Sequence, residues 1–179
     1  PGAVLLRGFC AGIDGALLTA LGDVAAAAPF RRMVTPGGFE MSVAMTNCGA
    51  AGWVTDRKGY RYAAADPASG KPWPALPPAF AELAARAADA AGFPGFAPDS
   101  CLVNRYAPGT KLSLHQDRNE RDFAAPIVSV SLGLPATFLW GGAARSAPQQ
   151  RVQLAHGDVL VWGGPARLVF HCVAKLNEG

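Results

Sequence analysis

The stretch "KLSLHQDRNE", residues 111–120, decides how the rest of the chain is interpreted. Its first half is typical of a half-buried strand, on which residues two apart point to the same face. Leu112 and Leu114 then share one face, while His115 and Asp117 share the other. An imidazole and a carboxylate on one face are either two solvated groups or two ligands of a cation. A His-x-Asp pattern by itself is a weak motif, so both interpretations stay open here.

Composition indicates one globular domain over residues 1–179. Half of the residues are hydrophobic and 16% are charged, which excludes a disordered chain. Four cysteines stand far apart without a C-x-x-C pair, which favours reduced thiols and a cytoplasmic setting. The opening residues do not resemble a signal peptide, and no apolar run would cross a bilayer, so we expect no membrane partner. The net charge of +3 is compatible with a polyanionic partner but does not require one.

Helices are predicted before the middle of the chain and strands after it. "IDGALLTALGDVAAAAPF" (13–30) reads as a helix that Asp14 caps and Pro29 ends, and "PPAFAELAARAADAAGF" (77–93) as a second helix. Gly, Pro and Asn break up the segment between them, which is typical of hairpins. From residue 100 onward, short strands alternate with turns at even spacing. This predicts a mixed α+β fold with a mainly β core, a sandwich or jelly roll.

A second histidine strengthens the metal interpretation of the opening stretch. His171 lies in the strand-like run "RLVFHCVAKL", and the chain has three histidines in all. Two histidines and a carboxylate on one face form the facial triad of non-haem Fe(II) oxygenases. We therefore predict His115, Asp117 and His171 as metal ligands and as the catalytic centre. His156 competes for the third place, but its "AHGDV" context is typical of a turn, and we interpret it as structural.

Four blocks of sequence, taken in order, resemble the bacterial AlkB alkylation-repair dioxygenases. They are "MVTPGGFEMSVAMTNCG", "LVNRYAPGTKLSLHQDRNE", "PIVSVSLGLPATF" and "HGDVLVWGGPARLVFH". The resemblance implies a double-stranded β-helix (jelly roll) core, with N-terminal helices and a hairpin lid for nucleotide recognition. It implies Fe(II) and 2-oxoglutarate as cofactors. It also implies oxidative demethylation of bases such as 1-methyladenine and 3-methylcytosine, with release of formaldehyde, succinate and CO2. We expect a monomer whose partner is alkylated DNA, single- or double-stranded, or RNA.

The resemblance also assigns roles to single residues. By motif position, His115, Asp117 and His171 match the iron ligands, and Asn104 and Tyr106 match residues that hydrogen-bond 2-oxoglutarate. The residues alone put Asn104 and Tyr106 two apart on a predicted strand, where they share a face and could reach one bound ligand. They leave a second interpretation open, in which both side chains satisfy backbone groups of the core.

The resemblance places the substrate lid at about residues 31–65 and the jelly-roll core at about 100–179. Trp53 and Tyr60 match aromatic positions that contact the damaged nucleotide, and Met45 would form an apolar floor beside them. Trp162 either gates an oxygen path or belongs to the core. Candidates for phosphate contacts are Thr35, Lys111, Arg118 and Arg145.

Two departures from the family pattern generate hypotheses. Where the family carries a Lys-Asp-Glu run, this chain has Arg118, Asn119 and Glu120, so we expect Asn119 to alter the preference between adenine and cytosine. The sequence also stops eight residues after His171, before the arginine-bearing strand that anchors 2-oxoglutarate in the family. Lys175 would lie roughly 13 Å further along the strand from His171. On that basis we expect weakened 2-oxoglutarate binding and an unpaired core edge.

Two alternatives to a nucleic-acid demethylase are considered. The chain would then be a non-enzymatic reader of single-stranded or methylated nucleic acid, or a 2-oxoglutarate oxygenase acting on a peptide or small metabolite. A binding module has no need of three ligands that leave coordination positions open, which argues against the first. The aromatic and basic lid argues against the second.

Overall fold

The computed structural model describes residues 2–177, within which two helices and twelve strands alternate with turns. The helices are α1 (Asp14–Ala27) and α2 (Pro78–Ala90), and a short 3-10 helix spans Gly164–Ala166. The strands are β1 (Ala3–Leu6), β2 (Arg31–Val34), β3 (Glu40–Gly49), β4 (Gly52–Asp56), β5 (Gly59–Ala63), β6 (Ser100–Arg105), β7 (Leu112–His115), β8 (Ile127–Val130), β9 (Ala136–Trp140), β10 (Gln150–Leu154), β11 (Val159–Trp162) and β12 (His171–Val173).

Two antiparallel sheets form the core of a mainly β jelly roll, as the sequence predicts. One has the strand order β10-β9-β12-β7 and the other the order β1-β11-β8. Phe138 and Leu154 of the first sheet pack with Leu160 and Trp162 of the second. Burying each such side chain contributes about 1.5–3 kcal/mol, so this cluster holds the two sheets together. Within residues 2–177, β8 pairs on one side only, with β11.

The remaining strands form a second layer. β3 pairs with β2 on one side and with β6 on the other, while β4 and β5 form a separate hairpin. Met33, Val43, Met45, Val54 and Trp73 form the buried cluster beneath this layer. The hairpin is therefore seated on its own small core.

Both helices pack on the outside of the β layers. Leu17 of α1 and Leu83 of α2 are buried together, and Ala87 of α2 packs on Val159 and Val161 of β11. Pro78 opens α2, as predicted. Asp14 is the first residue of α1 but does not cap it, because its carboxylate accepts from the Gly12 amide outside the helix.

Three sequence expectations about strands require correction. β7 ends at His115, so Asp117 lies beyond the strand rather than on it. The "RLVFHCVAKL" run (167–176) is a strand only over His171–Val173, because residues 167–168 form a turn directly after the 3-10 helix at Gly164–Ala166. Tyr106 likewise follows the end of β6. No helix in residues 2–177 is long and apolar enough to span a membrane.

Candidate metal centre and nucleotide site

The two strands that carry the histidines are neighbours in one sheet. β7 pairs antiparallel with β12, and the register puts His115 directly opposite His171. Asp117 lies two residues beyond the end of β7, and its two carboxylate oxygens lie 3.6 Å from His115 Nε2 and 3.5 Å from His171 Nε2. One ligand atom from each of the three residues lies within 4.8 Å of the other two. We call His115, Asp117 and His171 the triad.

Both imidazoles are oriented by a backbone carbonyl two residues earlier. His115 Nδ1 lies 2.7 Å from the Ser113 oxygen, and His171 Nδ1 lies 3.1 Å from the Val169 oxygen. A carbonyl oxygen only accepts hydrogen bonds, so Nδ1 carries the proton in both rings. The other nitrogen, Nε2, faces Asp117 in both rings and is the one that binds a metal once it is unprotonated. This is the usual arrangement by which outer hydrogen bonds orient histidine ligands of a metal.

The charges of the triad suit a cation. Burial lowers the pKa of His115, as does the neighbouring His171. Burial alone would raise the pKa of Asp117, but hydrogen bonding to His171 and the nearby charge of Arg167 help to lower it below its ordinary value. At neutral pH the triad therefore offers an ionised carboxylate beside a neutral His115 imidazole. Metal ligands must be deprotonated in this way.

An aromatic wall encloses His171, which is 4% exposed. The rings of Phe138 and Trp140 stack on it at centroid distances of 5.5 and 6.4 Å, and Trp162 meets it edge-on at 5.0 Å. Trp162 is 2% exposed and belongs to the core between the sheets. Apolar walls of this kind control solvent access and the dielectric around a metal.

Asn104 and Tyr106, which the resemblance assigns to 2-oxoglutarate, are both largely shielded from solvent. The side-chain oxygen of Asn104 is buried and has no hydrogen-bond partner within residues 2–177. Burial raises the pKa of the Tyr106 hydroxyl, with smaller contributions from the neighbouring Cys172 and Asp117. That hydroxyl stays protonated at neutral pH and can donate a hydrogen bond. A buried amide with unused capacity and a nearby hydroxyl donor fit a small polar ligand.

The β4–β5 hairpin presents the two predicted aromatic residues side by side. The rings of Trp53 and Tyr60 stack with centroids 5.7 Å apart, and Tyr60 is 49% exposed. Asn47 of β3 fixes Trp53 by bonding its backbone N–H and its carbonyl oxygen, both at 3.0 Å. The indole N–H of Trp53 donates to Asn119 Oδ1 at 3.0 Å. Because Asn119 is two residues after Asp117, this bond links the aromatic pair to the triad.

The other predicted substrate residues occupy varied settings. Met45 is buried on β3, opposite Asn104 of β6. Thr35 accepts a hydrogen bond from the Phe39 amide in the β2–β3 turn. Lys111, Arg118 and Arg145 are exposed, and the Arg145 guanidinium lies over the Phe170 ring. None of these hydrogen-bonds to the triad within residues 2–177.

His156 lies away from the triad and makes contacts typical of a structural residue. Its Nδ1 accepts from the Gly133 amide at 3.0 Å, and its Nε2 lies 3.2 Å from an Asp14 oxygen. These contacts join the β10–β11 turn to the start of α1.

Tyr62, Glu120 and Arg167 form a hydrogen-bonded network beside the triad. The sequence patterns predicted no role for these three residues. Tyr62 donates to Glu120 at 2.9 Å, and Arg167 pairs with the same carboxylate at 3.4 Å. Arg167 also donates to the Asp117 carbonyl oxygen at 2.7 Å. One indication was present in the sequence, since Arg167 is the only charged residue in the otherwise apolar run 159–170.

Comparison with known proteins assigns the chain to a class. Residues 2–179 match the model of the 2OG-Fe(II) oxygenase superfamily, so the chain belongs to that superfamily. It is 60% identical over its full length to the alpha-ketoglutarate-dependent dioxygenase AlkB of Salmonella typhimurium, covering 83% of that protein. It is 58% identical to AlkB of Escherichia coli, over 99% of this chain and 82% of that one. The chain is therefore a member of the AlkB dioxygenase family.

The fold agrees with this assignment. A solved structure of OsALKBH1 superposes with a TM-score of 0.85 at 30% identity, over 99% of this chain and 87% of that one. The donor set also fits the cofactors that the family name implies. Two imidazole nitrogens and one carboxylate on one side of a metal suit Fe(II) and leave positions open for a chelating cosubstrate and O2. The enzyme is an Fe(II)/2-oxoglutarate-dependent dioxygenase.

Proposed function

We propose that this enzyme oxidatively demethylates alkylated bases, 1-methyladenine and 3-methylcytosine, in DNA or RNA. One observation carries the proposal. The stacked Trp53–Tyr60 pair is bonded through Asn119 to the loop that contains Asp117, so the aromatic surface and the triad belong to one site. An enzyme that acts on a base must remove it from the stack and hold its faces. Stacking on aromatic side chains is worth about 1–3 kcal/mol per base.

His115, Asp117 and His171 would hold the iron, and Asn104 and Tyr106 would hold 2-oxoglutarate beside it. When bound, Fe(II) with 2-oxoglutarate and O2 supplies the oxidation of the methyl C–H bond, which yields succinate and CO2. The protonated Tyr106 hydroxyl would donate to the cosubstrate, and the Asn104 side chain, whose buried oxygen has no partner, would help to orient it. The hydroxymethyl group left on the base nitrogen then releases formaldehyde.

The chain's other contribution is exclusion of water and orientation of the base. Phe138, Trp140 and Trp162 enclose the His171 side of the triad, so the oxidising chemistry is shielded from solvent. Trp53 and Tyr60 would stack on the methylated base, with Met45 beneath. Thr35, Lys111, Arg118 and Arg145 would contact phosphates, which position a strand without reading its sequence. The reader and the metabolite alternatives are not favoured, because the close relatives are dioxygenases named AlkB.

Mass spectrometry of a single-stranded oligonucleotide that carries one 1-methyladenine tests the proposal. The oligonucleotide is incubated in air with the enzyme, Fe(II) and 2-oxoglutarate. We expect loss of the methyl group together with equimolar succinate, and neither product from Asp117→Ala, which loses the carboxylate ligand. An enzyme that binds Fe(II) and turns over 2-oxoglutarate but leaves 1-methyladenine and 3-methylcytosine intact would reject the proposed substrate.

A further inference from the structure

The segment 116–126, here called the ligand loop, carries residues of both halves of the site but has no helix or strand of its own. It contains Asp117 of the triad and Asn119, which bonds Trp53. Within residues 2–177, its residues 117–125 make no hydrogen bond between backbone groups. A loop without backbone bonds needs side chains to fix its shape, because each ordered residue costs roughly 1–2 kcal/mol of backbone entropy.

Arg167 supplies those bonds from one buried guanidinium. Arg167 is 3% exposed, and its Nη1 donates to the Asp117 carbonyl oxygen at 2.7 Å. Its Nε donates to the Ala125 carbonyl oxygen at 3.0 Å, at the far end of the loop. Its Nη2 lies 3.4 Å from Glu120 Oε2, and the guanidinium covers the Phe123 ring at 5.4 Å. One planar group therefore contacts the loop at its beginning, middle and end.

A second bond joins the same two segments in the opposite direction. The side-chain amide of Gln116 donates to the Leu168 carbonyl oxygen at 2.6 Å. Residues 116 and 117 are thus tied to residues 167 and 168 twice. Because Arg167 is four residues before His171, these bonds fix the Asp117 end of the triad relative to the His171 end.

The network continues from the loop to the hairpin. Tyr62 donates to Glu120 Oε1 at 2.9 Å, and Tyr62 is directly opposite Trp53 in the β4–β5 register. Two successive loop residues, Asn119 and Glu120, therefore bond two facing residues of the hairpin. Glu120 Oε2 has no aligned hydrogen-bond donor within residues 2–177, so its charge is balanced by Arg167 alone at that oxygen.

We infer that Arg167 is a positioning residue that holds the ligand loop in the one shape serving both metal ligation and base stacking. This inference rests on the proposed function for its second half, whereas its first half concerns only the metal. If this is so, one buried arginine that contacts neither the metal nor the base affects the affinity of the enzyme for both.

Arg167→Lys tests the inference, because lysine keeps the positive charge beside Glu120 but lacks the planar fork of donors. Mn(II) affinity is measured by calorimetry in the presence of 2-oxoglutarate, without turnover. Affinity for a single-stranded 1-methyladenine oligonucleotide is measured anaerobically. We expect Mn(II) affinity to fall about 10- to 100-fold, the range seen when an outer-shell partner is lost, together with weaker oligonucleotide binding. Arg121→Lys, in the same loop but exposed, is the matched control and leaves both affinities unchanged.

Tyr62→Phe separates the two halves of the network. It removes only the bond at the hairpin end, so we expect oligonucleotide affinity to fall about fivefold while Mn(II) affinity stays within about twofold. If Arg167→Lys does not fold, Glu120→Gln carries the test, since it removes the charge that Arg167 pairs with and leaves an acceptor for Tyr62. Wild-type Mn(II) and oligonucleotide affinities in folded Arg167→Lys, or in Glu120→Gln, overturn the inference. Mn(II) loss in Arg167→Lys alongside a wild type that demethylates nothing would instead reject the proposed function alone.

Discussion

Asn119 stands where the resemblance leads us to expect the acidic residue of a Lys-Asp-Glu run. Its Oδ1 already accepts from the Trp53 indole, so the hydrogen-bonding group left for a substrate is its amide nitrogen, a donor. An aspartate would keep the acceptor for Trp53 and replace this donor with a second acceptor. The exocyclic amino group of a base donates, so the two side chains present opposite partners to it.

We expect Asn119→Asp to change the ratio of kcat/KM for 1-methyladenine over 3-methylcytosine by about fivefold, the equivalent of about 1 kcal/mol. Competition between the two bases in one reaction measures the ratio directly. A general loss of activity cancels in the ratio, so the experiment contains its own control. Identical ratios for wild type and variant would exclude a role for this residue in the choice of base.

Two histidine substitutions separate the triad from the turn histidine. His171→Ala removes one of the three ligand groups, so we expect Fe(II) to be lost from the protein at micromolar metal. His156→Ala removes contacts to Gly133 and Asp14 only, so it should keep the iron and lose about 1 kcal/mol of unfolding free energy. Metal content by plasma mass spectrometry and urea unfolding measure the two effects. Iron loss in His156→Ala with retention in His171→Ala would reverse the assignment.

At the scale of elements, the β4–β5 hairpin depends on a close approach that only glycine permits. A Cβ at Gly52 would lie 2.5 Å from Trp73 Cε2 and 2.7 Å from Asn47 Cβ. The Trp73 ring is 6% exposed and its indole N–H donates to the Ala63 carbonyl oxygen, so it cannot shift without losing that bond. Asn47 is the residue that bonds the Trp53 backbone. The absence of a side chain at Gly52 therefore allows Asn47 and Trp73 to hold Trp53 and its hairpin in place.

We expect Gly52→Ala to reduce the unfolding free energy by about 1–3 kcal/mol through overpacking and to raise the KM for the oligonucleotide. Gly22→Ala is the matched control, because Gly22 lies in α1 with open space around it. That substitution should add up to about 1 kcal/mol of stability without altering KM. Urea unfolding and steady-state kinetics of both variants check this. A Gly52→Ala protein as stable as wild type would mean that Trp73 and Asn47 can yield.

Patterns in the sequence predict which segments form strands better than they predict the residues at which those strands end. The apolar alternation around residues 112–115 and 136–140 is local information, and β7 and β9 form there. Asp117 was expected on the strand, but the strand stops at His115 because β12 offers only three residues for pairing. The start of β12 is set by the turn at residues 167–168, about 50 residues later in the chain, so the alternation within β7 does not predict it.

At the scale of the whole molecule, strand order is what the sequence leaves open. β12, the last strand within residues 2–177, lies between β7 and β9, and this insertion alone puts His171 opposite His115. Residue types and the family resemblance predicted that the two histidines meet. The contacts of Arg167 could not be predicted in the same way, since they join segments 50 residues apart and follow from the completed fold.

Asp158 joins two segments that are distant in the sequence through a buried carboxylate. This carboxylate is 2% exposed, accepts from the Gly8 and Ala155 amides at 2.9 Å each, and pairs with Arg7. It thereby joins the segment after β1 to the β10–β11 turn. Burial alone would raise the pKa of Asp158, but these amide bonds and Arg7 lower it below its ordinary value.

A pKa that is lower in the folded state than in the unfolded chain makes the free energy of unfolding fall as the pH falls. The unfolded chain binds the proton more readily, so stability from Asp158 is complete above about pH 4, the ordinary value, and is lost as the pH falls from there through the folded-state pKa. We expect Asp158→Asn to lose about 2 kcal/mol of unfolding free energy at pH 7, because hydrogen bonds to a charged group become weaker ones. The difference between variant and wild type should shrink as the pH falls below about 4. Urea unfolding from pH 7 to pH 3 measures it, with Asp23→Asn on the exposed face of α1 as the control for simple loss of charge. A difference that stays constant over this range would show that the Asp158 contacts do not depend on its ionisation.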